Sequence, residues 1–274
     1  MELQKLRLTA VSYLNTKPFI YGIFRSELSE MIELSLDIPA VCAEKLASGA
    51  ADLALAPVAI LPAIPEAYLV SKYCIGATGP VKTVCIFSEK PIGEIKYLYL
   101  DFHSKTSATL APILCREYWH INPVFLPAQD GFERKIGGDT AGLIIGDRAI
   151  GREKRFPFVY DLGEAWVKWT GLPFVFAAWI SARPLPAEFI TRFNAALQAG
   201  ITHVPELTKI IPTIPGFDVE AYFRHNISYE LDDAKWLGLQ HFLSMLPASQ
   251  PTVLHRHPAL DEKDVEGNVR PATV

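Results

Sequence analysis

Tyr97-Leu98-Tyr99-Leu100-Asp101-Phe102-His103-Ser104-Lys105-Thr106-Ser107 is the stretch on which the fold turns. Its first four residues are apolar and aromatic and suit a buried strand. From Ala108 to Trp119, the residues Leu110, Ala111, Ile113, Leu114 and Tyr118 recur at helical spacing. A strand that opens through a run of hydroxyls into a helix leaves free N–H groups beside Ser and Thr side chains, which is a seat for a small anion. The plainer reading is that Ser104 or Thr106 caps the helix.

Working outward, the same grammar recurs. Leu6 to Val11 alternates as a strand and runs through Ser12-Tyr13-Leu14-Asn15-Thr16-Lys17 to Pro18, which suits a first helical turn. Ile32 to Leu36 is a strand, Pro39 starts a helix that should stop at Gly49, and Ala51 to Val58 is a buried strand broken by Pro57. Strand, helix, strand, helix, strand predicts a parallel, helix-covered sheet. A second cycle follows: a strand at Val81–Ser88, the opening element, Val124–Leu126, Ala141–Ile145 ending in Gly146-Asp147-Arg148, and Phe158–Gly163. Phe174–Ile180 reads as a return strand between two halves, followed by helices near 186–199, 217–225 and 231–246. The expected architecture is α/β and two-lobed, each lobe a mainly parallel sheet flanked by helices. Residues 1–82 and 180–247 form lobe 1, 83–179 lobe 2, and 248–274 a poorly ordered tail with His255 and His257 solvated. Ligands of such sheets sit outside the carboxyl ends of the strands, here in a cleft between the lobes.

Composition narrows the function. The chain has 274 residues, half of them hydrophobic, with a net charge of −4 and no basic run, which argues against a nucleic-acid partner. No secretory leader and no apolar run of about 18 residues is present, so a cytoplasmic protein without a membrane partner is expected. The scattered Cys42, Cys74, Cys85 and Cys115 form no CxxC or Cys/His cluster, so free buried thiols are expected and a metal site is not.

Several segments are more specific than any pattern: Val11–Pro18, Gly49–Val58, Ile145–Ala149, Tyr160–Trp166 and Trp169–Ala177. In this order they resemble the chorismate dehydratase family of the futalosine route to menaquinone, over about residues 5–246. The resemblance implies the fold of type II periplasmic binding proteins used as an enzyme. It also implies conversion of chorismate to 3-[(1-carboxyvinyl)oxy]benzoate and water, a lyase reaction that needs no cofactor. Thr83 stands where the family commonly has serine, so its added methyl crowds or reorients the site.

Chorismate carries two carboxylates and a ring hydroxyl. An enzyme must hold both, place a base at the ring C–H and help hydroxide leave. Asn15 and Thr83 are the catalytic candidates: the amide as a preorganised donor to the departing hydroxyl, the hydroxyl as a donor to it or to a carboxylate. Taken alone, Asn15 also reads as a turn asparagine and Thr83 as an ordinary strand residue. The substrate-binding candidates are Ser12, Tyr13, Pro57, Ser104, Thr106, Ser107, Ile145, Gly146 and Asp147. Gly146 admits a close backbone approach; Asp147 also reads as a cap or a partner of Arg148. No motif supplies an obvious base, which leaves the substrate's own enolpyruvyl carboxylate, with His103 a loop histidine facing solvent. Asp161 and Glu164 read as caps, Trp166 and Trp169 as packing. The rivals are a non-catalytic carboxylate-binding protein, which should be secreted, and a regulator's sensing domain, which should carry a helix-turn-helix.

Overall fold

A computed structural model describes residues 5–247, 253–257 and 260. The first lobe opens with β1 (Leu6–Val11), α1 (Lys17–Phe24), the short α2 (Leu28–Met31), β2 (Ile32–Asp37), α3 (Pro39–Ala47), β3 (Leu53–Pro57) and the long β4 (Glu66–Ala77). The second contains β5 (Val84–Ser88), β6 (Tyr97–Leu100), α4 (Lys105–Glu117), β7 (Val124–Pro127), β8 (Thr140–Ile145), β9 (Phe158–Asp161) and α5 (Leu162–Thr170). The chain then returns through β10 (Phe174–Ser181), α6 (Ala187–Thr202), α7 (Val204–Thr208), α8 (Val219–Ala221), β11 (Ser228–Glu230), α9 (Asp233–Ser244) and β12 (Val253–Arg256).

Two sheets result. The first runs β11-β4-β10-β3-β1-β2 with β12 added on β4; the second runs β7-β6-β8-β5-β9. In both, the βαβ units are parallel, β1 with β2 and β3, and β6 with β7 and β8. Antiparallel strands extend each: β10 between β3 and β4, and β5 between β8 and β9. Strands buried on both faces read as unbroken apolar runs, which is why β3, β5 and β10 are buried along their whole length.

Two expectations are corrected. Phe174–Ile180 is no connector between halves: β10 is an inner strand of the first sheet, so the first lobe resumes before residue 180. The tail is not uniformly loose either. β12 pairs in parallel with Glu66–Leu69, His255 stacks on Tyr68, and the buried His257 places Nε2 2.8 Å from the Leu185 carbonyl. A polar composition concealed this, because β12 draws its stability from backbone pairing on a free sheet edge. Leu260 is buried as well, its N–H donating to the His257 carbonyl at 2.9 Å; the remaining tail residues lie outside the described residues.

Candidate active site

Four strand ends meet between the lobes. From the first come the turn after β1, with the 3₁₀ segment Leu14–Thr16, and the end of β3 at Pro57. From the second come the loop after β6, leading to α4, and the end of β8 at Gly146. They enclose a cavity whose wall includes eight of the eleven residues expected there: Tyr13, Asn15, Pro57, Thr83, Ser104, Ser107, Ile145 and Gly146. Ile75 on β4 and Phe176 and Ala177 on β10 add an apolar wall that the motifs had not indicated. The signal available was the unbroken apolar run of β10.

Three expected residues do not line this cavity. Ser12 is exposed on the far side of the β1 turn, its N–H donating to the Asp37 carbonyl at 2.9 Å. Thr106 is fully buried, and its Oγ1 accepts the Ala59 N–H at 3.1 Å from the other lobe. Asp147 accepts the Leu14 N–H at 2.9 and 3.1 Å, again across the cleft. It is not the partner of Arg148, which pairs with Asp101 and Glu133. Burial raises the Asp147 carboxyl above its usual range, opposed by the Leu14 N–H and by Lys17.

His103 also differs from expectation. It is half-buried, with Nδ1 2.6 Å from the Tyr13 hydroxyl and the two rings nearly coplanar at 4°. Its carbonyl accepts the Ala40 N–H at 3.0 Å. Burial drives the Tyr13 phenol well above its ordinary value, so it stays protonated beside the imidazole. Asp101, wholly buried, fixes this loop: Oδ1 accepts the His103 N–H at 3.0 Å and Oδ2 the Ile145 N–H at 3.1 Å, beside the Arg148 guanidinium.

The donors are positioned by local structure. Ser104 is the N-cap of α4: its Oγ lies 3.4 Å from the Ser107 N–H and 3.3 Å from Ser107 Oγ. The cap reading holds, and the same residue lines the cavity. Thr83 follows Lys82, whose φ of 64° is costly for a side-chain-bearing residue. The Lys82 N–H is held by Asp161 Oδ2 at 2.6 Å, and Asp161 also caps α5 through the Glu164 N–H at 3.0 Å. Gly146 has φ +65°, and a Cβ there would lie 2.6 Å from the Tyr13 ring.

The cavity measures about 40 Å³, room for water but far below the roughly 300 Å³ at which small-molecule pockets begin. The lobes are shut over it. Among the described residues, Tyr13 is the only titratable one lining the cavity. Among the described residues no group of three or more His, Cys, Asp or Glu could hold a metal ion. No described helix is long and apolar enough to cross a membrane.

A family model described as menaquinone biosynthesis matches residues 6–248. The chain belongs to that family. A curated relative, the chorismate dehydratase of Thermus thermophilus, is 26% identical over 199 residues, covering 65% of this chain and 73% of that protein. Among solved structures, a structural-genomics protein from Archaeoglobus fulgidus superposes with a TM-score of 0.64 at 14% identity, covering 89% of this chain and 97% of the other. A Candida albicans protein described as having the generic periplasmic binding protein fold gives 0.59 at 10% identity, covering 89% and 90%. The periplasmic aliphatic sulphonate binding protein of Escherichia coli gives 0.51 at 14%, covering 88% and 91%. These likenesses carry the fold alone.

Proposed function

We propose that this chain is a chorismate dehydratase, a hydro-lyase that converts chorismate to 3-[(1-carboxyvinyl)oxy]benzoate, and that it works in the cytoplasm without a cofactor. The observation that carries the reading is the chemistry of the cavity wall. Its polar side chains are Asn15, Thr83, Ser104, Ser107 and Tyr13, which are neutral hydrogen-bonding groups with no carboxylate among them. Such a wall accepts a dianion without repulsion. It also contains no strong base.

Ser104 and Ser107, with the amides opening α4, are the seat for one carboxylate. Thr83 and the Asn15 amide face the leaving hydroxyl, where donors aimed at developing charge lower the barrier. With no basic side chain in the wall, the ring proton goes to the substrate's own enolpyruvyl carboxylate. The protein's share is to hold that carboxylate against the C–H. Shutting the lobes excludes water and strengthens each of these hydrogen bonds.

Mixing the protein with chorismate and following the aromatic enol ether by absorbance and mass tests the reading. Asn15→Ala is expected to lower kcat by about 10²-fold, the usual cost of one such donor. Chorismate that binds tightly and returns unchanged would make the chain a carboxylate-binding protein instead. Loss of turnover in His103→Ala with chorismate binding intact would move the base to the protein.

A further inference from the structure

Tyr222 was not a candidate from sequence and does not line the cavity. It opens a five-residue π-helical turn, Tyr222–Asn226, a rare geometry that recurs at functional sites. Its side chain is 1% exposed. The phenol oxygen lies 2.8 Å from Thr83 Oγ1, a contact in which either atom can donate. One buried hydroxyl thus touches a side chain on which the proposed chemistry falls.

The direction of this bond follows from counting hydrogens. With no other acceptor for it among the described residues, the phenol, 1% exposed, gives its hydrogen to Thr83. Thr83 then keeps its single hydrogen. The Val81 carbonyl, at 3.4 Å, is too far to hold that hydrogen firmly, so it is available to a ligand. In the reverse order Thr83 would donate to Tyr222 and show the cleft only lone pairs, which an anion avoids.

We propose that Tyr222 is a positioning residue: its phenol donates to Thr83 Oγ1 so that Thr83 presents its O–H to the anionic or departing oxygen in the cleft. The inference rests on the dehydratase reading.

The test is a double-mutant cycle on chorismate turnover with Tyr222→Phe, Thr83→Val and the pair. Tyr222→Phe is expected to lower kcat about tenfold with KM changed less than about threefold, the pattern of a lost transition-state interaction. The double variant should be no slower than Thr83→Val alone, because without the hydroxyl the phenol has nothing to orient. A Tyr222→Phe enzyme with wild-type kcat and only a lower melting temperature overturns the inference, as do losses that multiply. Wild-type protein that leaves chorismate untouched overturns the dehydratase reading, and this inference with it. If Tyr222→Phe does not fold, 3-fluorotyrosine at 222 replaces it. A more acidic phenol donates more strongly, so kcat at or above wild type supports the stated direction and a fall overturns it.

Discussion

At the scale of single residues, the closed cleft depends on a position with no side chain. Gly146 holds a left-handed φ of +65°, and a Cβ there would collide with the Tyr13 ring at 2.6 Å. Gly146→Ala should therefore cost about 1–2 kcal/mol of stability from the backbone alone. It should lower kcat/KM far more, because Tyr13 must move out of the closed wall. Urea unfolding and turnover, measured together, check this: a variant with full turnover would show that Tyr13 does not need its present place. Thr106 and Asp147 show how residue type alone misleads. Both carry oxygens suited to a ligand, and both instead accept backbone N–H groups from the facing lobe.

At the scale of elements, α1 and α6 cross with backbone against backbone. A Cβ on Gly22 would lie 1.9 Å from the Ala196 carbonyl, and one on Gly200 1.9 Å from the Pro18 carbonyl. Gly200→Ala must push α6 away from the helix that follows the Asn15 turn. We expect a loss of about 3 kcal/mol, at the upper end for overpacking, seen as a melting temperature lower by several degrees. A melting temperature unchanged within error would mean that the crossing is looser than its distances indicate. Asp52, just before β3, joins strands instead of helices. Its carboxylate takes the Arg7 Nε and Nη2 at 3.1 Å each and Arg183 Nη2 at 3.0 Å. The Arg7 side chain, against the cost of burial, holds Asp52 at about 2. A depressed acid stabilises the fold above its ordinary value of 3.8 and loses that contribution as the pH falls through about 2. Asp52→Asn should cost about 2 kcal/mol at most at pH 7, and the difference from wild type should shrink toward zero as the pH approaches 2.

For the whole molecule, the decisive event is the meeting of the lobes, made by direct hydrogen bonds: Leu14 N–H to Asp147, Ala59 N–H to Thr106, Ala40 N–H to the His103 carbonyl, and Tyr13 to His103 Nδ1. The last can titrate. Burial and the Arg148 charge hold the His103 imidazole below its ordinary value of 6.5, against the pull of Asp101, Asp130 and Glu133. Closure stabilised by neutral His103 is then fully present above 6.5 and weakens as the pH falls below it. KM for chorismate should rise over that interval, and His103→Asn should abolish the rise. An identical pH profile in the variant would assign the titration to another group. The strand ends and their motifs were legible because alternation, apolar runs and capping hydroxyls are written locally: Val11–Pro18, the Ser104 cap and Gly146 needed nothing distant to be read. The role of β10 was hidden because a doubly buried strand reads alike as connector or core. That of β12 was hidden because edge pairing uses backbone atoms that every sequence has. Sequence by itself determined the two βαβ lobes, the family and the hydroxyl- and amide-bearing loops, since each is a property of neighbouring residues. Only the tertiary structure decided which hydroxyls face the cavity, which clasp the opposite lobe, and that Tyr222 arrives from 139 residues beyond Thr83 to orient it. Hydrogen-bond partners of a buried oxygen are chosen by chain crossing in space, and nothing along the chain records that choice.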